Sequence, residues 1–251
     1  MMNFISRVAS WSRARRNAKL FGLHYTRARS FTMPEGVNIG GENKKIRHLG
    51  THGTRADFFV CIIYDRYQLR ELSRRELRTI VDVGANQGFF SLAARAHSPG
   101  SRIFCYEPNI ALEKYLTHNA AASQAEVFFE AVGKTSGRCR LNLASESNQT
   151  TTALLPQDEQ GIPQASLAKV VERAGGEISL LKLDCEGAEW DILESEAIGS
   201  VNALTMEYHL TTQSMQGHSE ALKKVESCGF RPIHVSRGTT TGDIVAVRCT
   251  K

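Results

Sequence analysis

The sequence of 251 residues lacks several features that would assign its class directly. No uninterrupted apolar run approaches the ~20 residues that a membrane-spanning helix needs. The six cysteines are scattered and form no Cys-x-x-Cys pair, which argues against a zinc knuckle or a disulfide framework and favours a reducing compartment. The start also lacks the compact apolar core of a secretory signal. Together these absences predict a cytoplasmic protein.

Acidic residues are missing from the first 34 positions, which hold seven basic residues. The formal charge of the whole chain is +5, so a segment of +7 leaves −2 for residues 35–251. The basic character is therefore local to the N-terminal segment. A mildly acidic body gives no support for nucleic-acid binding by the main domain.

The basic segment also carries apolar residues at spacings of three and four, which predicts one face of a helix. These residues are Phe4, Val8, Trp11, Ala14, Ala18 and Phe21. A basic amphipathic helix can lie on an anionic membrane surface, so one interpretation of residues 1–30 is a peripheral contact with the inner membrane surface. The alternative is a helix that caps the main domain or mediates dimerisation.

Two regions follow from the pattern of elements along the chain. Residues 1–54 are expected to form the basic extension and a Gly-rich connector with a short hairpin. Residues 55–251 are expected to form the main domain, beginning with a segment over 56–77 that is helical in its second half. Strands and helices then alternate, which predicts an α/β fold with a mostly parallel sheet covered on both faces. A long polar loop, residues 144–164, is expected to act as a lid.

Polar residues or glycines end five of the predicted strands. In open α/β sheets, ligands bind at the carboxyl ends of the strands, so these positions should lie together around a site. The five strand ends are Asp82-Val-Gly84-Ala-Asn86-Gln-Gly88, Tyr106-Glu107-Pro108, Glu130-Ala131, Asp184-Cys-Glu186-Gly187 and Glu207-Tyr-His209.

The first of these loops indicates a nucleoside ligand. Gly84 and Gly88 permit a tight turn and a close approach of the backbone to a ligand. Glu107 follows one strand–helix–strand unit later and can accept both hydroxyls of a ribose. The dinucleotide pattern G-x-G-x-x-G is absent because position 86 is Asn, which disfavours a nicotinamide-dependent dehydrogenase. Asp82 beside the loop suits a cationic ligand that carries an amino acid, and S-adenosylmethionine fits that description.

The later strand ends suggest the catalytic groups. Lys182 on a covered strand needs a partner such as Asp184 or Glu207. Methyl transfer to a hydroxyl benefits from a base. His209 shares a strand face with Glu207, and an unperturbed imidazole titrates near neutrality, so His209 is one candidate base and Asp184 is its competitor.

The same strand ends also allow a metal hypothesis. Asp184, Glu186, Glu207 and His209 could together hold a divalent cation that binds and acidifies the hydroxyl. Structural hydrogen bonding by His209 is the third alternative for that residue.

Four segments resemble the FkbM-type S-adenosylmethionine-dependent methyltransferases, over roughly residues 57–249. They are "IVDVGANQGFFSL", "FCYEPN", "LLKLDCEGAEWDIL" and "MEYHL". The run from Lys182 to Glu189 is the most specific of them. The resemblance implies a class I methyltransferase fold with a seven-stranded, mostly parallel sheet. It also implies O-methylation of a hydroxyl on a sugar, a glycolipid or polysaccharide, or a related secondary metabolite.

The resemblance further implies roles for the residues at the first three strand ends. The loop residues Asp82, Gly84, Asn86 and Gly88 would hold the methionine part of the cofactor. Glu107 would hold the ribose, and Glu130 and Ala131 would flank the adenine.

The expected partner is therefore a small-molecule or glycan acceptor with a free hydroxyl. A nucleic-acid methyltransferase that uses the basic arm as an anchor is the first alternative. It is disfavoured because amino-group methylases usually carry an Asn/Asp-Pro-Pro-aromatic loop, whereas this loop reads Asp184-Cys-Glu-Gly, and because the acidic surroundings would repel phosphate. A non-catalytic binding module is a further alternative, and the polar strand ends argue against it.

Overall fold

The computed structural model describes residues 4–142, 151–154, 161–210 and 217–249. Its helices are α1 (Phe4–Leu20), α2 (His52–Phe58), α3 (Leu69–Leu72), α4 (Phe89–His97), α5 (Glu113–Ser123), α6 (Leu167–Ala174), α7 (Glu189–Leu193) and α8 (His218–Ser227). Its strands are β1 (Gly36–Ile39), β2 (Glu42–Lys45), β3 (Thr79–Val83), β4 (Arg102–Tyr106), β5 (Ala125–Phe128), β6 (Ala131–Gly133), β7 (Gly137–Asn142), β8 (Thr151–Leu154), β9 (Ile162–Ser166), β10 (Leu180–Leu183), β11 (Ala203–His209), β12 (Phe230–Arg237) and β13 (Thr241–Arg248).

The central sheet has seven strands in the order β12-β13-β11-β10-β3-β4-β5. The strands β11, β10, β3, β4 and β5 pair in parallel, and β13 runs antiparallel to both of its neighbours. This arrangement confirms the predicted seven-stranded, mostly parallel sheet. It also brings the carboxyl ends of β3, β4, β10 and β11 to one edge.

The central strands are buried on both faces, which explains their nearly continuous apolar sequences. On β3, Ile80 packs into one hydrophobic cluster while Val81 and Val83 pack into a second. Leu180 and Leu181 of β10 divide between the two clusters in the same way. This alternation with period two places helices α1, α2, α4 and α5 on one face and α6, α7 and α8 on the other.

The N-terminal helix α1 packs its second half onto the domain. Ala14, Ala18 and Phe21 are buried in the core, and the side-chain amide of Asn17 donates to the Ile63 carbonyl at 3.2 Å. Trp11, which was predicted to share this apolar face, is 47% exposed. The packing supports the capping alternative for α1, and the membrane contact stays a prediction. None of the helices described in the structure has the length and apolar character needed to cross a bilayer.

The connector contains the predicted hairpin, formed by β1 and β2 around Gly40 and Gly41. The predicted boundary between residues 54 and 55 falls inside α2, which begins after Thr51, whose hydroxyl accepts from the Thr54 N–H at 3.2 Å.

The expectation for 56–77 is confirmed only in part, because its second half contains the short α3 but its first half is the more helical one. Helix α2 runs into a π-helical turn, Phe59–Ile63, and only the four-residue α3 follows. The physical reason is that Phe58, Phe59, Ile62 and Ile63 are needed in the core beneath α1.

A second sheet of four strands, in the order β6-β9-β7-β8, flanks the central one. Residues 125–133 contribute one strand to each sheet, with β5 in the central sheet and β6 in the second. The polar segment 144–164 was expected to be a loop, but it contains β8 and the first residues of β9, which gain their hydrogen bonds from β7 and β6. The remainder of the proposed lid lies outside the described residues.

Candidate active site

A cavity of about 570 Å³ lies at the carboxyl ends of β3, β4, β10 and β11, a volume within the usual range for ligand sites. Most of the predicted site residues line it: Gly84, Asn86, Glu107, Glu130, Ala131, Asp184, Glu186, Glu207 and His209. Asp82 and Gly88 are absent from the lining. The structure therefore brings the predicted strand ends together, with those two residues behind the wall.

The two loop glycines have packing roles. Gly84 adopts φ +75°, and a Cβ there would collide with the carbonyl oxygen of Asp184. A glycine at this position thus allows the loops after β3 and β10 to meet. Gly88 precedes α4 with φ +83°, and a Cβ there would lie 3.1 Å from Leu116 Cδ1.

A buried ion pair supports the floor of the cavity. Lys182 Nζ lies 2.9 Å from Asp82 Oδ1 and donates to the Gly84 carbonyl at 2.7 Å. The sequence predicted Asp184 or Glu207 as the partner of Lys182, and Asp184 Oδ2 does lie 4.0 Å from Nζ. The closer partner is Asp82, because the parallel register sets it opposite Lys182. Burial lowers the pKa of Lys182, but Asp82 and Asp184 raise it above its ordinary value, so the ammonium stays charged.

Glu107 is suited to bind paired hydroxyls. The side chain is buried, with Oε2 accepting from the Asn86 N–H and Oε1 accepting from the Asn109 N–H, both at 2.8 Å. Burial raises its pKa to about 7, although the two backbone N–H groups act in the opposite direction. Each oxygen keeps acceptor capacity, and the residue lines the cavity. The ribose role stays a prediction that this geometry supports.

The other end of the cofactor region is more apolar. Glu130 forms a bidentate pair with Arg173 at 2.8 and 3.1 Å, and the guanidinium lies 4.6 Å from the centre of the Phe128 ring. Its carboxylate is therefore already occupied. Ala131 and Tyr106 line the same end of the cavity and offer apolar surface for a flat base.

Glu189 shapes the loop after β10, and sequence reasoning assigned it no role. Its buried carboxylate accepts from the N–H groups of Cys185 at 2.9 Å and Gly187 at 2.8 Å. Glu186 between them adopts φ +55°, and its Oε2 lies 3.1 Å from His209 Nε2. The sequence feature that could have indicated this role is an acid at the first residue of α7, directly after a Gly-containing loop whose N–H groups need acceptors.

His209 lies between two carboxylates. Besides Glu186, it has Glu189 Oε1 at 3.6 Å from Nδ1, beyond hydrogen-bond length. Burial alone would lower the pKa of His209, but Glu186 and Glu189 raise it to about 11. The imidazole is therefore protonated at neutral pH, whereas a general base needs a free lone pair. This geometry favours the structural alternative for His209 over its expected role as the base.

Glu207 is also already paired. Arg66 holds it through two hydrogen bonds of 3.0 and 3.1 Å, and Arg66 Nε lies 2.7 Å from Asp243 Oδ1. The described part of the chain contains no group of three or more His, Cys, Asp or Glu side chains arranged to hold a metal ion. With Glu207 on Arg66 and His209 cationic, the four residues of the metal hypothesis do not form a preassembled cation site.

Asp184 also lines the cavity, and no cation among the described residues lies as close to it as Arg66 lies to Glu207. Its Oδ2 accepts from the Tyr67 hydroxyl at 2.6 Å and lies 4.0 Å from Lys182 Nζ. Burial and the charge of Asp184 raise the pKa of Tyr67 well above its ordinary value, so the phenol stays protonated and donates.

Asp57 on α2 is a further cavity residue that sequence reasoning missed. Its Oδ2 accepts from the Asn86 side-chain amide at 2.9 Å. Burial, followed by the charge of Asp184, raises its pKa to about 8. An acid within the otherwise aromatic and apolar run "ADFFV" was the available signal.

These residues fit S-adenosylmethionine. Glu107 can take the ribose, and several carboxylates face a ligand that carries an ammonium and a sulfonium. Asn86 Oδ1 is buried and has no hydrogen-bond partner among the described residues, so it can accept from such an ammonium.

Comparisons with known proteins agree with this site. A protein-family model described as "Methyltransferase FkbM domain" matches residues 82–232, which contain every predicted site residue. A search of curated proteins found no match to the chain.

Several solved structures are similar at low identity. Precorrin-6y C5,15-methyltransferase from Geobacter metallireducens is 12% identical, with a TM-score of 0.45, over 73% of this chain and 87% of that chain. The fibrillarin pre-rRNA processing protein of Methanococcus jannaschii is 9% identical, with a TM-score of 0.47, over 69% and 67%. Magnesium protoporphyrin IX methyltransferase from Synechocystis, with bound SAM, is 12% identical, with a TM-score of 0.45, over 79% and 80%.

Proposed function

We propose that this chain, which belongs to the FkbM methyltransferase family, methylates a hydroxyl group of a sugar, a glycolipid or polysaccharide, or a related secondary metabolite. Family membership makes it an S-adenosylmethionine-dependent methyltransferase of the class I fold. The nicotinamide-dependent dehydrogenase and the non-catalytic module that the sequence left open are thereby set aside.

The position of Asp184 supports a hydroxyl acceptor. Its carboxylate borders the cavity, and its nearest cation, Lys182, is 4.0 Å away. A hydroxyl is a poor nucleophile until a base removes its proton, and a positioned carboxylate can accept that proton. When bound, S-adenosylmethionine supplies an electrophilic methyl group on its sulfonium.

The neighbouring residues would hold Asp184 ready for this step. Tyr67 donates to Oδ2 and so orients the carboxylate, leaving Oδ1 for the acceptor hydroxyl. Lys182 Nζ lies 4.0 Å from the same oxygen. His209 as an imidazolium holds Glu186, which completes the wall around the acceptor.

The charges at this end of the cavity favour a neutral acceptor over a nucleic acid. Asp184 and Glu186 both border it. Phosphate groups would be repelled by these carboxylates. A polyhydroxylated acceptor can instead donate hydrogen bonds to them.

The experiment is methyl transfer from labelled S-adenosylmethionine onto a panel of glycans, glycolipids and RNA. We expect label on a hydroxyl-bearing glycan or glycolipid, and a loss in rate of roughly 10²–10⁴ for Asp184→Asn, the usual contribution of an acid–base group. Asp191→Asn, at an exposed position on α7, is the matched control. Label that appears only on RNA, or on nitrogen, would overturn the proposal.

A further inference from the structure

We infer that Asp57, together with the amide oxygen of Asn86, binds the ammonium group of the methionine part of the cofactor. The inference rests on S-adenosylmethionine being the cofactor and not on the nature of the acceptor. Its failure can therefore be separated from failure of the proposed O-methylation.

The hydrogen bonds of Asn86 define where this ammonium would lie. The Asn86 backbone N–H donates to Glu107 Oε2 at 2.8 Å, and its side-chain amide donates to Asp57 Oδ2 at 2.9 Å. Asn86 therefore links the proposed ribose carboxylate to Asp57. If Glu107 holds the ribose of the ligand, Asp57 lies beyond Asn86 from that ribose. The amino-acid part of the ligand can extend toward Asp57.

Two acceptor atoms are left over at this position. Asn86 Oδ1 is buried and lacks a partner within the described part of the chain. Asp57 Oδ1 likewise receives no hydrogen bond from the described residues. The bond that Asn86 donates to Asp57 is made to Oδ2. Asn86 holds a left-handed conformation with φ +48°, which asparagine adopts more readily than most residues. An ammonium donates three hydrogen bonds and can satisfy both acceptors.

The charges that face Asp57 also call for a cation. Asp184, Glu207 and Glu186 raise the pKa of Asp57, in addition to its burial, and Lys182 alone among the contributing groups lowers it. Lys182 is already 2.9 Å from Asp82, so it does not neutralise the cavity. A ligand ammonium supplies the missing positive charge.

Binding of two ligands by calorimetry tests the inference. S-Adenosylhomocysteine carries the ammonium, whereas 5′-methylthioadenosine keeps the nucleoside and lacks the amino-acid part. We expect Asp57→Asn to bind S-adenosylhomocysteine about 10- to 100-fold more weakly, the range for a hydrogen bond to a charged group. Its affinity for 5′-methylthioadenosine should change by less than about twofold. Asp191→Asn serves as the matched control for both ligands.

The proton balance gives a second readout. Asp57 is largely protonated in the free protein at neutral pH and would ionise when it meets the ammonium. Wild-type affinity for S-adenosylhomocysteine should therefore increase as the pH rises toward about 8, and Asp57→Asn should lack that part of the increase. In buffers of different ionisation enthalpy, the variant should release about one proton fewer on binding.

The variant is expected to fold, because Asn has the shape of Asp and its side-chain oxygen can still accept from Asn86. A melting temperature at or above that of the wild type would confirm this, since the substitution removes a buried acid. Unchanged binding of S-adenosylhomocysteine by Asp57→Asn would overturn the inference, and so would equal weakening of both ligands. A wild-type protein that binds neither ligand would overturn the cofactor assignment itself, and Asp57 with it.

Discussion

The cofactor end and the acceptor end of the cavity are built in different ways. At the cofactor end, Glu107 is fixed by backbone N–H groups only 2 and 21 residues away. At the acceptor end, the contacts join side chains far apart in sequence: Tyr67 to Asp184 across 117 residues and Arg66 to Glu207 across 141. A backbone scaffold does not depend on side-chain identity, whereas side-chain pairs can be exchanged without altering the sheet. This difference suits an enzyme whose cofactor stays the same while its acceptor can change when these side chains are exchanged.

Lys182 joins the two ends, and its loss should have the largest effect. Lys182→Met would leave Asp82 buried without a cation and would remove the bond to the Gly84 carbonyl. We expect a fall of about 3–5 kcal/mol in the free energy of unfolding, measured by denaturant titration. The double variant Lys182→Met/Asp82→Asn is the control and should recover part of this loss. If Lys182→Met is as stable as the wild type, the Lys182–Asp82 pair does not support the floor of the cavity.

Glu107 tests the cofactor end alone. Glu107→Ala removes the acceptor for the ribose hydroxyls, and cofactor affinity should fall by about 1.5–3 kcal/mol in calorimetry. The fold should survive because the side chain lies at a strand end. Wild-type cofactor affinity in this variant would show that Glu107 does not hold the ribose. Asp184→Asn is the control for the acceptor end and should leave cofactor affinity nearly unchanged.

His209 tests the acceptor end through pH. Its pKa in the folded protein, about 11, lies above the ordinary value near 6.5. The stability that protonation of His209 contributes is therefore fully present below about pH 6.5 and is lost as the pH rises toward about pH 11. We expect His209→Gln to be less stable by about 1–2 kcal/mol at neutral pH, with a gap that narrows as the pH rises.

The ionisation of His209 can also be observed directly by NMR of the imidazole. A transition near pH 6.5 would show a neutral imidazole at physiological pH and would restore His209 as the candidate base.

The smallest effect on methylation is expected from changes in α1, which contributes no residue to the lining of the cavity. If α1 contacts anionic membranes, reversing its exposed charges with Arg13→Glu/Arg16→Glu should abolish sedimentation with anionic vesicles at low salt. Methylation of a water-soluble acceptor should be unaffected. The control is Lys223→Glu/Arg231→Glu, which reverses two exposed charges outside α1. Wild-type protein that does not sediment with the vesicles would leave α1 with its capping role alone.

Much of the fold and half of the site were predictable because their signals are local. Alternating strands and helices predicted the mostly parallel sheet, the resemblance to the FkbM family implied its seven strands, and polar strand ends predicted where the cavity would lie. The same local reasoning failed at 144–164, where polar strands gain their hydrogen bonds from distant partners. It also missed Asp57, because an acid before the first central strand carries no sign of the cavity that it will face.

The sequence by itself determined the order of elements, the glycine loop and the carboxylates at the strand ends, since these depend on residue type and short spacing. The tertiary structure decided which charge meets which. Register placed Lys182 against Asp82, packing placed Arg66 on Glu207, and the shape of a five-residue loop placed two carboxylates beside His209. Protonation depends on distances of a few ångströms and on burial, and those distances exist only in the folded chain.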